Sequence, residues 1–231
     1  MRNVADQMRK LAVTCAAIYL PTICLLAGAV GLSSHLDEPI SIFLSDPVTV
    51  MDAPPYYGAL SNLGVLIWCV GGAIAGFSGV ALRTMGAKTV LAEFLTASGV
   101  LTLVLVADDL FLLHEQILPH YLSIPQNLVL GSYAVFGVGY LIRYWRVIGQ
   151  TDWLLLGAAF AGLGLSVLFD TVLKPLELGQ QSLLEDGCKL LGIVSWTAYF
   201  WRAGWEAILA ARVVDAAAPS KHAPNSLSTA A

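Results

Sequence analysis

The chain has 231 residues, of which 57% are hydrophobic and only 12% charged, against roughly 25% charged in an ordinary soluble domain. A mean hydropathy of +0.73 leaves too little polar surface to clothe a water-soluble fold of this length. The formal charge of −4, with no basic cluster, excludes nucleic acid as a partner. Membrane lipids are the expected surroundings, and the chain predicts an all-α, polytopic membrane helical bundle.

A span requires about 20 mainly apolar residues. The first candidate, residues 11–32, follows a basic head containing Arg2, Arg9 and Lys10. Ala27-Gly28-Ala29 resembles a signal-peptidase site, but the apolar run is long and broken by Pro21, so the segment is expected to stay as a span. Residues 33–55 form an outer loop with four prolines and four acids, long enough to suggest a lid. Further spans are expected at 58–82, 90–113, 127–142, 153–173 and 183–203, making six within one transmembrane domain over residues 1–215. Small residues at i, i+4, such as Gly72 with Gly76 and Ala158 with Gly162, predict close helix packing by the second and fifth spans. Residues 216–231 are rich in Ala, Ser and Pro and are expected to be a disordered cytoplasmic tail.

Lys and Arg fix the orientation. With both termini in the cytoplasm, ten of the twelve fall on the cytoplasmic side, Lys174 alone lies opposite, and Lys189 lies inside the last span. A multi-pass protein of a bacterial inner membrane is expected. The four cysteines have no CxxC spacing and read as apolar fillers.

Eleven of the sixteen acids then gather on the outer side. Asp108 and Asp109 interrupt an apolar run near the end of the third span, where ionised groups are costly and face the bundle interior or water. If that helix continues, Glu115 shares a face with Asp108, and His114 lies about 100° away. Asp170 precedes Lys174 by four residues, and Glu185 precedes Lys189 by four, both in the favourable order for helical ion pairs. Lys189 needs a partner among Glu185, Asp186, Asp108 and Asp109, so spans three, five and six are expected to converge. Acids at helix ends also occur as plain interfacial residues, and Glu93 is read so.

No established motif fits. His114-Glu115 is followed by His120 at HE-x4-H spacing, with Pro119 between, so two histidines cannot share a helical face. The candidate catalytic groups are therefore Asp108, Asp109, Glu115, Asp170, Glu185 and Lys189. His114, Asp108, Asp109 and Glu115 are the candidate ligands for a divalent metal ion, a set suited to Mn²⁺, Mg²⁺ or Fe²⁺ as well as Zn²⁺. Three functions compete: a metal-assisted hydrolase or transferase acting outside on a lipid-like substrate, a small ion- or proton-coupled transporter, and a non-catalytic sensor or assembly subunit.

Overall fold

A computed structural model describes residues 4–87, 89–170 and 181–217. These residues are all-helical, with no strand among them. Four helices, or parts of them, are long and apolar enough to cross a membrane: Tyr19–Leu36, Ala59–Thr84, Val90–Leu110 and Gln126–Ile148. The protein is thus a helical membrane protein. By its internal contacts the chain divides into two units, Met1–Ala59 and Leu60–Ala231.

The first unit holds α1 (Val4–Leu36) and two short helices, α2 (Ile40–Leu44) and α3 (Pro47–Val50). Pro21 lies inside α1 without ending it. The segment expected as an outer loop is therefore partly helical. Its prolines act as helix starters: Pro39 caps α2, and Pro47 occupies the first turn of α3, where a missing N–H costs nothing. Asp46 caps α3, accepting from the Thr49 backbone N–H at 2.9 Å and its hydroxyl at 2.7 Å. Those two bonds hold its carboxyl below the usual carboxylate range.

The second unit contains α4 (Ala59–Thr84), α5 (Val90–Leu110), a π-helical turn (Leu113–Ile117), α6 (Leu118–Leu122), α7 (Gln126–Ile148), α8 (Trp153–Leu168) and α9 (Gln181–Ala217). At 1.5 Å per residue the 26 residues of α4 reach about 39 Å, beyond the roughly 30 Å of a hydrocarbon core. A turn at Gly86, with φ +83°, leads to α5, whose cap Thr89 accepts from the Ala92 N–H at 3.2 Å. Helix α7 outruns its expected bounds because Arg143 and Tyr144 both bond Glu93 of α5, at 2.9 and 3.1 Å, before Gly149 ends the helix. Glu93, half exposed in the first turn of α5, is thus also tied to α7. Helix α9 continues to Ala217, so the expected tail begins within it; residues 218–231 lie outside the described residues.

Packing follows the small residues. A Cβ on Gly99 would stand 2.5 Å from the backbone nitrogen of Gly76, and one on Gly162 would stand 2.8 Å from that of Gly192. Helix α4 therefore meets α5, and α8 meets α9, backbone to backbone, the close approach that small residues permit in lipid. Around these seams Phe94, Leu95, Leu156, Ile193, Trp196, Tyr199 and Phe200 are fully buried. Phe94 sits in an aromatic cluster with Tyr140, Tyr144, Tyr199 and Phe200, ring centroids 5.2–6.3 Å apart. This core holds α5, α7 and α9 against one another near the start of α5, about 21 Å along the helix from Asp108.

Candidate functional site

Helix α5 does not continue to Glu115. It stops at Leu110, and Leu112 takes a left-handed conformation, φ 52° and ψ 41°, before the π-helical turn. For a leucine this conformation is uncommon and strained. Its effect is to fold the chain back so that His114 faces Asp108. The expected arrangement, with Glu115 on the Asp108 face and His114 a face away, is overturned by that one residue.

Asp108 is 4% exposed and accepts three hydrogen bonds. One carboxylate oxygen takes the His114 backbone N–H at 3.1 Å and the Tyr133 hydroxyl at 2.9 Å. The other lies 2.6 Å from His114 Nδ1. A buried carboxylate so placed favours the tautomer with the proton on Nδ1. Nε2 is then left as a proton acceptor, 3.6 Å from Glu115 Oε1, a separation beyond a direct hydrogen bond. Tyr133 of α7 was not legible as a site residue. Its hint in the sequence is a phenol inside a span, which needs a hydrogen-bond partner there, a hint that Tyr140 shares.

Asp109 points to a different partner. It forms an ion pair with Lys189 of α9, side chains 14% and 30% exposed respectively. Lys189 thus meets span three, one of the partners anticipated from its position.

These groups share one cavity of about 480 Å³. Asp108, Asp109, His114, Glu115, Asp170, Glu185 and Lys189 all line it, so every residue nominated from the sequence is brought together. The charged groups occupy the end where α5 and α8 finish and α9 begins. Away from that end the walls are apolar: Trp68, Leu101, Leu105, Phe136, Leu141, Phe160, Leu163 and Trp196. Ser166, 7% exposed, lines the cavity one turn before Asp170. The expected Asp170–Lys174 pair falls outside the described residues, because Lys174 does.

The metal expectation is not supported by this geometry. Among the described residues, no three or more of the His, Cys, Asp and Glu side chains are grouped to hold a metal ion. The reason is visible in the pairing. Asp109 is occupied by an ammonium, and His114 turns its Nδ1 to Asp108 rather than joining it around a common point. The arrangement that remains is an oriented imidazole at the charged end of an apolar-walled cavity. It can move a proton to or from a group held against Nε2.

No curated protein and no solved structure matches the chain. A family model matches residues 15–203, which include all of these side chains. The chain therefore belongs to the family described as Domain of unknown function (DUF8692).

Proposed function

We propose that this protein is a membrane hydrolase or transferase acting on a lipid-like substrate, with His114 as general base and Asp108 as the group that orients it. The observation that carries this reading is the 2.6 Å contact between His114 Nδ1 and a buried, triply hydrogen-bonded carboxylate inside an apolar-walled cavity. A carboxylate bound to Nδ1–H fixes the imidazole's tautomer and stabilises the imidazolium that forms when Nε2 takes a proton. The proton would come from water in a hydrolase, or from an acceptor hydroxyl in a transferase, held against Nε2 from the cavity. Tyr133 and the His114 backbone N–H keep Asp108 aimed. The Asp109–Lys189 pair joins α5 to α9 across the cavity, and Asp170 and Glu185 complete its charged end. No step here calls for a metal ion.

The reading includes a topology: six crossings, both termini cytoplasmic, and the charged end of the cavity on the outer side of a bacterial inner membrane. It is supported by the ten Lys and Arg assigned to the cytoplasmic side, and by α8 and α9, which add two helices to the four candidate spans.

One observation favours a second reading, an ion-coupled transporter. Polar groups recur along α5 from the cavity wall toward Glu93. Trp196 Nε1 donates to Thr102 at 2.9 Å, Ser98 and Tyr140 hydroxyls are 2.5 Å apart, and Tyr144 bonds Glu93.

One experiment tests both. Purified protein is reconstituted into vesicles of total membrane lipid, supplied also with long-chain acyl esters and amides, and products are followed by mass spectrometry. Time-dependent product is expected from the native chain. His114→Ala and Asp108→Asn, with melting behaviour retained, should each lose about 10²–10⁴-fold in rate, the range for general-base catalysis. Undiminished product from His114→Ala would contradict the enzymatic reading. Acidification of the lumen on substrate addition, with every lipid unchanged, would establish the transporter instead.

A further inference from the structure

The cavity wall carries a hydroxyl that none of the described residues engages, that of Ser166. The side chain is more than nine-tenths buried and lines the cavity. Hydroxyls on an apolar helix commonly turn back to the carbonyl four residues earlier, as those of Thr96, Ser98 and Thr102 do on α5. The Ser166 hydroxyl makes no such bond, and it has no other partner among the described residues. A buried hydroxyl left so is costly, and an occupant that brings an acceptor atom relieves the cost.

The helix contacts place this hydroxyl opposite the imidazole. Helix α5 touches α7 through the Arg143–Glu93 pair and α9 through the Asp109–Lys189 pair. Helix α8 touches α9 along the glycine seam, and α7 where Phe160 reaches Gly137. The four helices therefore ring the cavity, with α5 and α8 on opposite sides. With neighbouring axes 8–10 Å apart, opposite axes lie about 11–14 Å apart, which leaves room for a carbonyl group and a water between the two walls.

The levels agree as well. Thr102 meets Trp196, and Asp109 meets Lys189 seven residues further along both helices, so α5 and α9 run antiparallel residue for residue. Gly162 packs against the backbone of Cys188 and Gly192. Four residues on, Ser166 is then level with residues 186–187 of α9, and so with the end of α5, where the turn that carries His114 begins. The Ser166 hydroxyl makes no bond to His114, the contact that a nucleophile activated by that imidazole needs.

We propose that Ser166 is the hydrogen-bond donor to the substrate's carbonyl oxygen, holding an ester or amide linkage against His114 Nε2 from the facing wall. This assignment rests on the His114–Asp108 reading and names the linkage on which that pair acts. Water, or an acceptor hydroxyl, attacks the carbonyl carbon as Nε2 takes its proton. The carbonyl π pair moves onto oxygen, and the oxyanion accepts from Ser166 Oγ–H. When the pair returns, the bond to the leaving alcohol or amine breaks, and the imidazolium gives that group the proton. A donor placed where charge develops favours the transition state over the ground state.

The test is binding of a tetrahedral analogue to the full chain in non-ionic detergent, which needs no turnover. A dodecyl trifluoromethyl ketone hydrates at its carbonyl and presents two oxygens on a tetrahedral carbon; the methyl ketone with the same chain does not. Tryptophan fluorescence and melting temperature read the binding. The native chain should bind the trifluoromethyl ketone saturably and the more tightly of the two. Ser166→Ala should weaken that binding about 10–100-fold, the range for a hydrogen bond to a charged or strongly polar group. Without ligand its melting temperature should be unchanged or raised, because the substitution breaks no bond within the fold. On any ester or amide turned over in vesicles, Ser166→Ala should lower kcat about 10²–10³-fold with KM little changed. Hexadecyl fluorophosphonate, which phosphonylates nucleophilic serines with loss of fluoride, should add no mass at Ser166.

Equal binding of the trifluoromethyl ketone by the native chain and Ser166→Ala would overturn the donor. If His114→Ala weakens binding in the same series, the His114–Asp108 reading stands. A lowered melting temperature of ligand-free Ser166→Ala would show a packing role and overturn the assignment. Phosphonylation at Ser166 would replace the donor by a covalent nucleophile. Binding of neither ketone to the native chain would overturn the carbonyl linkage as the group held here. Failure of the base is read separately, as undiminished product from His114→Ala in the vesicles.

Discussion

Adjacent acids in an apolar helix rarely do the same work, and Asp108 and Asp109 divide here by where each finds compensation. Asp108 is satisfied within α5, the following turn and α7, by two side chains and a backbone N–H, whereas Asp109 reaches across to Lys189. The sequence showed that both acids needed partners, because ionised groups near hydrocarbon do. It did not show that His114 would be one of them. That depends on Leu112 taking a left-handed turn, and leucine carries no signal for it, unlike glycine or asparagine. The Asp109–Lys189 pair gives a prediction at this scale. Breaking a fully buried pair costs about 3–5 kcal/mol, but Lys189 is 30% exposed to the cavity, so solvent screening reduces the expected loss to about 1–3 kcal/mol. Lys189→Met and Asp109→Asn should each lower stability by that amount. The double variant should be more stable than the sum of the two losses implies, as measured by denaturation of the purified chains. Strict additivity would show that the two groups do not interact.

Helix seams were legible where glycines marked them and illegible where aromatics did. Gly76 and Gly162 lie on the faces that their i, i+4 spacing indicated, and their partners, Gly99 and Gly192, are small residues as well. A side chain at Gly99, Gly162 or Gly192 would meet backbone within 2.8 Å, which cannot move aside as a side-chain tip can. Helix α9 is different. Its middle carries Trp196, Tyr199, Phe200, Trp201 and Trp205 with Arg202 between, a composition that dilutes the apolar signal, and it is not among the four candidate spans. Yet Trp196, Tyr199 and Phe200 are, with Phe94, the largest fully buried side chains in the unit. Helix α7 was expected too short for a related reason. Arg143 reads as the end of a span, but its guanidinium is paired with Glu93 at 2.9 Å and the helix carries on past it. The short helices α2 and α3 were hidden by the prolines that begin them. The Asp46 cap on α3 depends on an ionised carboxyl whose folded pKa is lowered, so its contribution is present at neutral pH and is lost as pH falls through that lowered value.

Across the whole molecule, the asymmetry of charge and the asymmetry of the cavity agree. The end where α5 and α8 finish holds the carboxylates, and the opposite end of the same bundle holds Arg143, Arg202, Asp152 and Glu93 in surface ion pairs. If the proposed topology is right, reporters that require the cytoplasm work after Lys88, Arg146 and Arg212, and those that require the outside work after Asp52, His120 and Leu178. The reverse pattern at two or more of these positions would place the cavity's charged end on the cytoplasmic side. The account as a whole turns on one imidazole being held as a base by one buried carboxylate. Nitrogen-15 NMR of the protein labelled at its four histidines, with His114→Gln used to assign the signal, reads that directly. At a pH of about 8, where an ordinary imidazole is neutral, the account predicts that the His114 signals belong to the tautomer protonated at Nδ1, and that Asp108→Asn disturbs them. A His114 protonated at Nε2, with Nδ1 bare, would contradict it.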